Sequence, residues 1–263
     1  MNEMSHRPEA ATAASRRVIA LRQGRGRQGG STTLDLLIQL ARREGRPVLV
    51  GDGDRNNSTL TGLYPPDQPG GASHPKTEQL VDVLKWITAS VNEAIQSESS
   101  LVVDLGGGDR VMEEYGRDLG LVEFCEASGY EPLGLYFCGP EVNDLKHIHT
   151  IWRAGYFRPR RAILVFQEYL VPRGQAPQGA FDEVIASPEM EELLKDSFEF
   201  VFFPRLPCMD EVRRSRLSFA DAAAGMPGAE GKPLDPIQQF MVKQWIDKVQ
   251  KAFAKIGATE WLP

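Results

Sequence analysis

The chain has 263 residues, 41% of them hydrophobic and 25% charged, with a formal net charge of −6. That apolar content can bury a sizeable core and excludes a wholly disordered chain, while the length admits one large domain or two small ones. No run of about 18 apolar residues occurs, so no membrane span is expected. Met1 to Ser15 lack the apolar stretch of a secretory signal. Cys125, Cys138 and Cys208 show no metal-ligand spacing, which fits a reducing, cytoplasmic setting.

Residues 1–15 read as a polar, flexible tail, and residues 16–263 as one folded unit. Arg17 to Leu21 reads as a buried strand that runs into a glycine-rich loop, Arg22 to Gly30. Ser31-Thr32-Thr33 can cap the helix that follows, in which Leu34, Leu37, Ile38 and Ala41 recur at helical spacing. Gly45 closes that helix, and Arg46 to Asp52 reads as the next strand. Strand, loop, helix and strand in about 35 residues make a βαβ unit, and so a parallel sheet.

Tyr64 to His74, rich in proline and glycine, reads as a loop, and Leu80 to Ile95 as an amphipathic helix. Strands are expected at Ser100–Leu105, Gly134–Cys138, Ala162–Phe166 and Glu199–Phe203. Helices are expected at Asn143–Ala154, Phe181–Ile185, Glu189–Asp196 and Pro236–Ile256, with a connector at Gly225–Lys232. The unbroken alternation favours a single α/β domain with a mostly parallel sheet flanked by helices.

Gly24 to Ser31 has the frame G-x-x-x-x-G-x-S between a strand and a helix, the frame of a phosphate loop with Gly30 at the lysine position. Glycines let backbone N–H groups turn inward, and the helix N-terminus adds partial positive charge. Arg25 and Arg27 can supply charge from within the loop, and Ser31 retains a hydroxyl that can ligate Mg²⁺. A plain Gly/Arg turn satisfies the same residues. Asp52 and Asp54 follow the second strand and Asp104 ends the third. In a parallel sheet all three would face the crevice at the strands' carboxyl ends, where they can hold Mg²⁺ or orient water. Turn capping is the other reading of Asp52 and Asp54.

These residues resemble the ParA/MinD partition ATPases. Gly24–Thr32 is similar to that family's deviant phosphate loop, G-K-G-G-x-G-K-[ST]-T. Val48–Asn57 resembles its D-x-D-P-Q-x-N stretch, and Val102–Gly107 its Walker B strand. The resemblance implies a P-loop NTPase-like fold and ATP or ADP bound with Mg²⁺ by Gly24, Arg25, Gly26, Arg27, Gln28, Gly29, Gly30, Ser31 and Thr32. It places the lysine that crosses a nucleotide-sandwich dimer on Arg25, the Walker lysine on Gly30 and the Mg²⁺ hydroxyl on Ser31. It places the water-positioning carboxylate on Asp54 and the Mg²⁺ shell on Asp52 and Asp104. With both lysines replaced, it implies a degenerate Walker A motif and weak or absent ATP hydrolysis. Losing one charge-assisted contact of about 1.5–3 kcal/mol weakens affinity by roughly one to two decades.

Phe202 to Glu211, with Pro204 and Pro207, falls where that family closes a loop over adenine. Arg214 to Ala222 resembles the R-x-R-L-T-F-x-[DE]-A ending of TraL-type proteins of conjugative plasmids, which implies a plasmid conjugal transfer or partition role. The same stretch, through Leu217, Phe219 and Ala222, can simply dock a C-terminal segment on the sheet. The implied partners are a second copy of the chain, a plasmid transfer or partition protein, and DNA. A non-enzymatic scaffold, and an ATPase in which an arginine serves for the lysine, are the alternatives.

Eight arginines between Arg16 and Arg46 form the one basic region, open to nucleotide, DNA or an acidic partner, or simply to solvent. His147 and His149 point apart on a helix and cannot share a metal. The stripe Ile237, Phe240, Met241, Trp245, Ile246, Val249 and Phe253 reads as core packing, with a partner-binding helix as the other reading.

Overall fold

In the computed structural model, strands and helices alternate along the chain and build a seven-stranded, all-parallel sheet. The structure describes residues 17–263 except 55–56, 107–111, 114–115, 117–119 and 197, so the expected tail at 1–15 lies outside the described residues. The strands are β1 (Val18–Gln23), β2 (Val48–Asp52), β3 (Ala72–Ser73), β4 (Ser100–Asp104), β5 (Glu131–Cys138), β6 (Arg161–Gln167) and β7 (Phe198–Phe203). Their order is β3-β2-β4-β1-β5-β6-β7. The chain leaves β1 towards β2 on one side and later returns to β5 on its other side. The carboxyl end of β1 is therefore a switch point, where a parallel sheet opens a crevice.

Side-chain alternation fixes what faces that crevice. Val18 and Ala20 of β1, Val48 and Val50 of β2 and Val102 of β4 share one apolar layer with Leu34, Ile38 and Ala41 of α1 (Gly30–Arg43). Ile19, Leu21, Leu101 and Val103 face the opposite layer, under α3 (Leu80–Gln96) and α4 (Leu121–Ala127). With a period of two, Arg22, Asp52 and Asp104 all emerge on the α1 face. α2 (Thr59–Leu63) follows β2.

A third cluster lies under α5 (Val142–Ala154), the short helices α6 (Pro177–Ala180) and α7 (Asp182–Ile185), and α8 (Pro188–Lys195). The C-terminal third adds α9 (Met209–Ser215), α10 (Phe219–Ala223) and α11 (Pro236–Lys255) to the α1 face. No helix is long and apolar enough to cross a membrane among the described residues.

Several expectations need correction. The segment Tyr64–His74 is not all loop, because Ala72–Ser73 pairs with Val50–Gly51 as a two-residue edge strand too short to show periodicity. α2, α4, α9 and α10, each of five to seven residues, went unread for the same reason. Nor do Ser31–Thr33 cap α1: Gly29 holds the N-cap position at φ 72°, without a side-chain cap. The α11 stripe is only partly core. Trp245, Ile246, Val249 and Phe253 are buried, whereas Ile237 and Phe240 are 68% and 59% exposed.

Candidate functional site: a phosphate-type loop with an internal arginine

The loop Gly24–Gly29 joins the buried end of β1 to the first turn of α1. Its glycines are used where conformation demands them, with Gly24 at φ 112° and Gly29 at φ 72°. A methyl group on Gly29 would come within 2.5 Å of the Tyr169 ring. Arg27 also takes the left-handed region, at φ 61°. The Tyr169 hydroxyl donates to its carbonyl at 2.6 Å, tying the loop's tip to the segment after β6. At the base of the loop, Gln167 Nε2 donates to Thr33 Oγ1 at 2.9 Å, and Thr33 Oγ1 donates to the Gly29 carbonyl at 3.3 Å.

Beneath the loop lies a polar cluster whose arginine the motif does not anticipate. Arg22 is 2% exposed, and its Nη1 donates to Asp104 Oδ1 at 2.5 Å. Its Nη2 donates to the Arg25 carbonyl at 3.0 Å, which pins the loop from below. The other Asp104 oxygen, Oδ2, accepts from Ser31 Oγ at 2.6 Å, and Oδ1 also accepts from the Gly106 N–H at 2.9 Å. Asp104 is thus ion-paired and hydrogen-bonded through both oxygens by the protein itself. Such pairing is what a carboxylate 1% exposed requires.

Gly30 explains how the arginine fits. A β-carbon at position 30 would overlap Arg22 Nε and approach its Cδ to 2.6 Å. The space over the first helical residue is therefore filled by the Arg22 guanidinium. Arg22 Nε is buried with no hydrogen-bond partner among the described residues, facing Gly30.

Asp52 lies beside Asp104 in register, 1% exposed. Its Oδ2 accepts from Thr61 N at 2.7 Å and Thr61 Oγ1 at 3.0 Å, and its Oδ1 from Asp54 N at 3.3 Å. Burial raises its pKa, the Thr61 bonds oppose the rise, and the Asp104 charge adds to it. Asp52 therefore orders the turn after β2, the capping role that its sequence also admitted. Asp54 Oδ1 accepts from Asn57 N at 3.0 Å. Gly106, at φ 61°, lies so close that a β-carbon there would sit 2.6 Å from Asp54 Cγ. Among the described residues, no three His, Cys, Asp or Glu side chains gather as a metal-binding group.

Beside the loop opens a cavity of about 890 Å³. Gly29 and Thr32 line it on the helix side, Tyr169 on the β6 side, and Pro204 and Pro207 on the β7 side. Trp245 Nε1 holds the Pro204 carbonyl at 2.7 Å. Arg205 clasps the β6 and β7 loops together by donating to the carbonyls of Glu168, Tyr169 and Val171. Pro204 and Pro207, expected from the sequence, line this cavity, whereas Tyr169, Arg205 and Gln167, which also line it, carry no motif. Arg22 was counted within the basic region. The available signal was its parity with Val18 and Ala20, four and two residues before it.

The basic region dissolves into local partners. Arg17 pairs with Glu98 at 2.6 Å and Arg25 with Asp144 at 3.1 Å. Arg42 donates to the Val48 and Gly70 carbonyls, and Arg46 to those of Leu262 and Pro263. Arg25, expected from the resemblance at a cross-dimer position, is thus held on the first turn of α5. Arg27 and Arg43 are exposed, and Gly26 is open at the loop's surface. Gln28 is only 7% exposed. His149 meets Glu192 at 2.8 Å on the surface, and the three cysteines are free and buried.

The Arg214–Ala222 stretch docks on α1. Phe219 N–H donates to Gln39 Oε1 at 2.8 Å, and Arg213, just before the stretch, reaches Asp35 Oδ2 at 2.5 Å. Asp35, 1% exposed, also accepts from Tyr64 Oη at 2.6 Å and Gln39 Nε2 at 2.8 Å. Burial and the Asp35 carboxylate drive the Tyr64 pKa far up.

No protein-family model matches the chain, and no curated protein matches it significantly. Solved structures do. The signal recognition particle receptor FtsY from Elizabethkingia anophelis superposes with a TM-score of 0.50 at 12% identity, over 91% of this chain and 68% of that one. The fold is of the P-loop NTPase type. Chloroplast FtsY from Physcomitrella patens gives 0.48 at 13% identity, over 90% of this chain and 66% of that one. The MinD cell division protein from Aquifex aeolicus gives 0.47 at 12%, over 88% and 97%. The chain thus spans about two thirds of the FtsY structures' length.

Proposed function

We propose that the chain is a ParA/MinD-like nucleotide-binding protein of the plasmid transfer or partition type whose site binds nucleotide weakly and hydrolyses it slowly or not at all. The observation that carries this reading is the Arg22–Asp104–Ser31 cluster beneath a loop with glycine at position 30. The loop and the 890 Å³ cavity offer a phosphate end and a base end in the order a nucleotide needs. The groups that would drive transfer are committed elsewhere: Ser31 and Asp104 to each other, Arg25 to Asp144. Calorimetric titration with ADP and with GDP, beside a phosphate-release assay, tests this directly. Weak binding with negligible turnover is expected, and brisk turnover that survives Ser31→Ala and Asp54→Ala would overturn it.

A second reading, a protein-binding scaffold that kept the fold, draws on the exposed Met226, Ile237, Phe240 and Met241. Capture of a transfer or partition protein by a chain silent to both nucleotides favours it.

A further inference from the structure

We infer that Arg22 is a built-in cation that closes the Ser31–Asp104 site to divalent metal, so that whatever phosphate the loop takes is bound without Mg²⁺. A divalent ion in a phosphate loop needs oxygen ligands free to turn towards it. Here the Ser31 hydroxyl donates to Asp104 Oδ2 at 2.6 Å, which leaves its lone pairs free but ties it to a carboxylate whose charge Arg22 already balances. Asp104 Oδ1 holds Arg22 Nη1 at 2.5 Å and the Gly106 N–H at 2.9 Å. Asp52, the neighbouring carboxylate, has both oxygens committed to the turn. With the Asp104 charge already balanced by Arg22, the described residues do not fit a resident Mg²⁺.

The positive charge has moved rather than vanished. A lysine at position 30 would reach out from α1, whereas Arg22 reaches up from β1 into the volume left by Gly30. The two features require each other: glycine makes room for the guanidinium, and the guanidinium neutralises the carboxylate that metal would otherwise balance. Its Nε, buried and without a hydrogen-bond partner among the described residues, faces the first turn of α1. The closure to metal stands on this geometry. Metal-free phosphate binding also rests on the nucleotide reading above.

The test is Mn²⁺ titration followed by electron paramagnetic resonance of the free ion, on the full chain without nucleotide. Wild type is expected to take up no Mn²⁺ through the millimolar range. Arg22→Met, which removes the charge but keeps bulk, is expected to gain one Mn²⁺ site that Arg22→Met/Asp104→Asn loses again. Wild-type uptake that Asp104→Asn abolishes, or a folded Arg22→Met chain that gains no site, would overturn the inference. Should Arg22→Met not fold, the wild-type titration decides alone, and ADP binding to wild type adds a second reading. The ADP dissociation constant is expected to agree within about two-fold in Mg²⁺ and in EDTA, and a ten-fold dependence on Mg²⁺ contradicts the inference. No ADP binding in either buffer removes the nucleotide reading and leaves the Mn²⁺ result to decide the metal question.

Discussion

The two ends of the crevice are built in opposite ways. Under the loop, Arg22, Ser31 and Asp104 are packed together and pair with one another, leaving Arg22 Nε without a partner among the described residues. A few residues away, between the β6 and β7 loops, the chain holds open about 890 Å³ with Arg205 and Trp245 bracing the walls. One end has consumed its polar groups in folding, and the other has kept space for a guest. The contrast separates affinity from chemistry: a ligand can be gripped at the open end while the closed end lacks free groups to act on it.

The largest expected effect comes from opening the closed end. Arg22→Met leaves Asp104 buried and unpaired, so urea unfolding should show a loss of about 3–5 kcal/mol. A loss under about 1 kcal/mol would mean that the cluster is not what the distances imply. Gly29→Ala lies where the two ends meet. It forces a methyl into the left-handed region, at about 1–2 kcal/mol, and against the Tyr169 ring. Adding Tyr169→Ala should recover part of that loss, because it removes the obstacle and not the backbone strain. At the open end the effects shrink. Tyr169→Phe loses one hydrogen bond from a side chain 42% exposed. Its unfolding free energy should fall by about 0.5–1.5 kcal/mol.

The smallest effect concerns pH. Asp52 has its pKa raised in the folded chain, chiefly by burial. The folded state therefore holds that proton more tightly than the unfolded state does. Ionised Asp52 detracts from stability at neutral pH, and the penalty eases as pH falls towards its raised pKa. Carboxyl NMR should find Asp52 titrating above the ordinary aspartate range, and Asp104→Asn should lower it by removing the neighbouring charge. An Asp52 that titrates in the normal range contradicts the burial.

Much of this was legible in the residues. The strand–loop–helix frame, the acid at the end of β2 and the acid at the end of β4 are local patterns, and Gly24 to Ser31 lies where its spacing requires. What the acids do was not legible. Asp52 became a turn-former because Thr61, nine residues on, presents its N–H and hydroxyl. Arg22 became internal because β4 lies beside β1 and puts Asp104 directly opposite it in register. That pairing joins residues 82 apart, which no window of sequence sees. The start of α11 misled in another way: its apolar period runs on through Ile237 and Phe240, which stay exposed. Short elements such as α9 and α10 are held by contacts such as Arg213 with Asp35, and not by their own propensity.

Whether Arg22 fills the space over Gly30 and keeps the site closed is reached most directly by one set of titrations. ADP affinity and urea stability would be measured for wild type, Gly30→Lys, and Gly30→Lys/Arg22→Met. Gly30→Lys alone should destabilise the chain and leave ADP binding no tighter, because Arg22 already fills the space. The double variant should recover stability relative to either single change and bind ADP at least about ten-fold more tightly than Gly30→Lys. A Gly30→Lys chain that is as stable as wild type and gains that affinity with Arg22 in place would contradict the account.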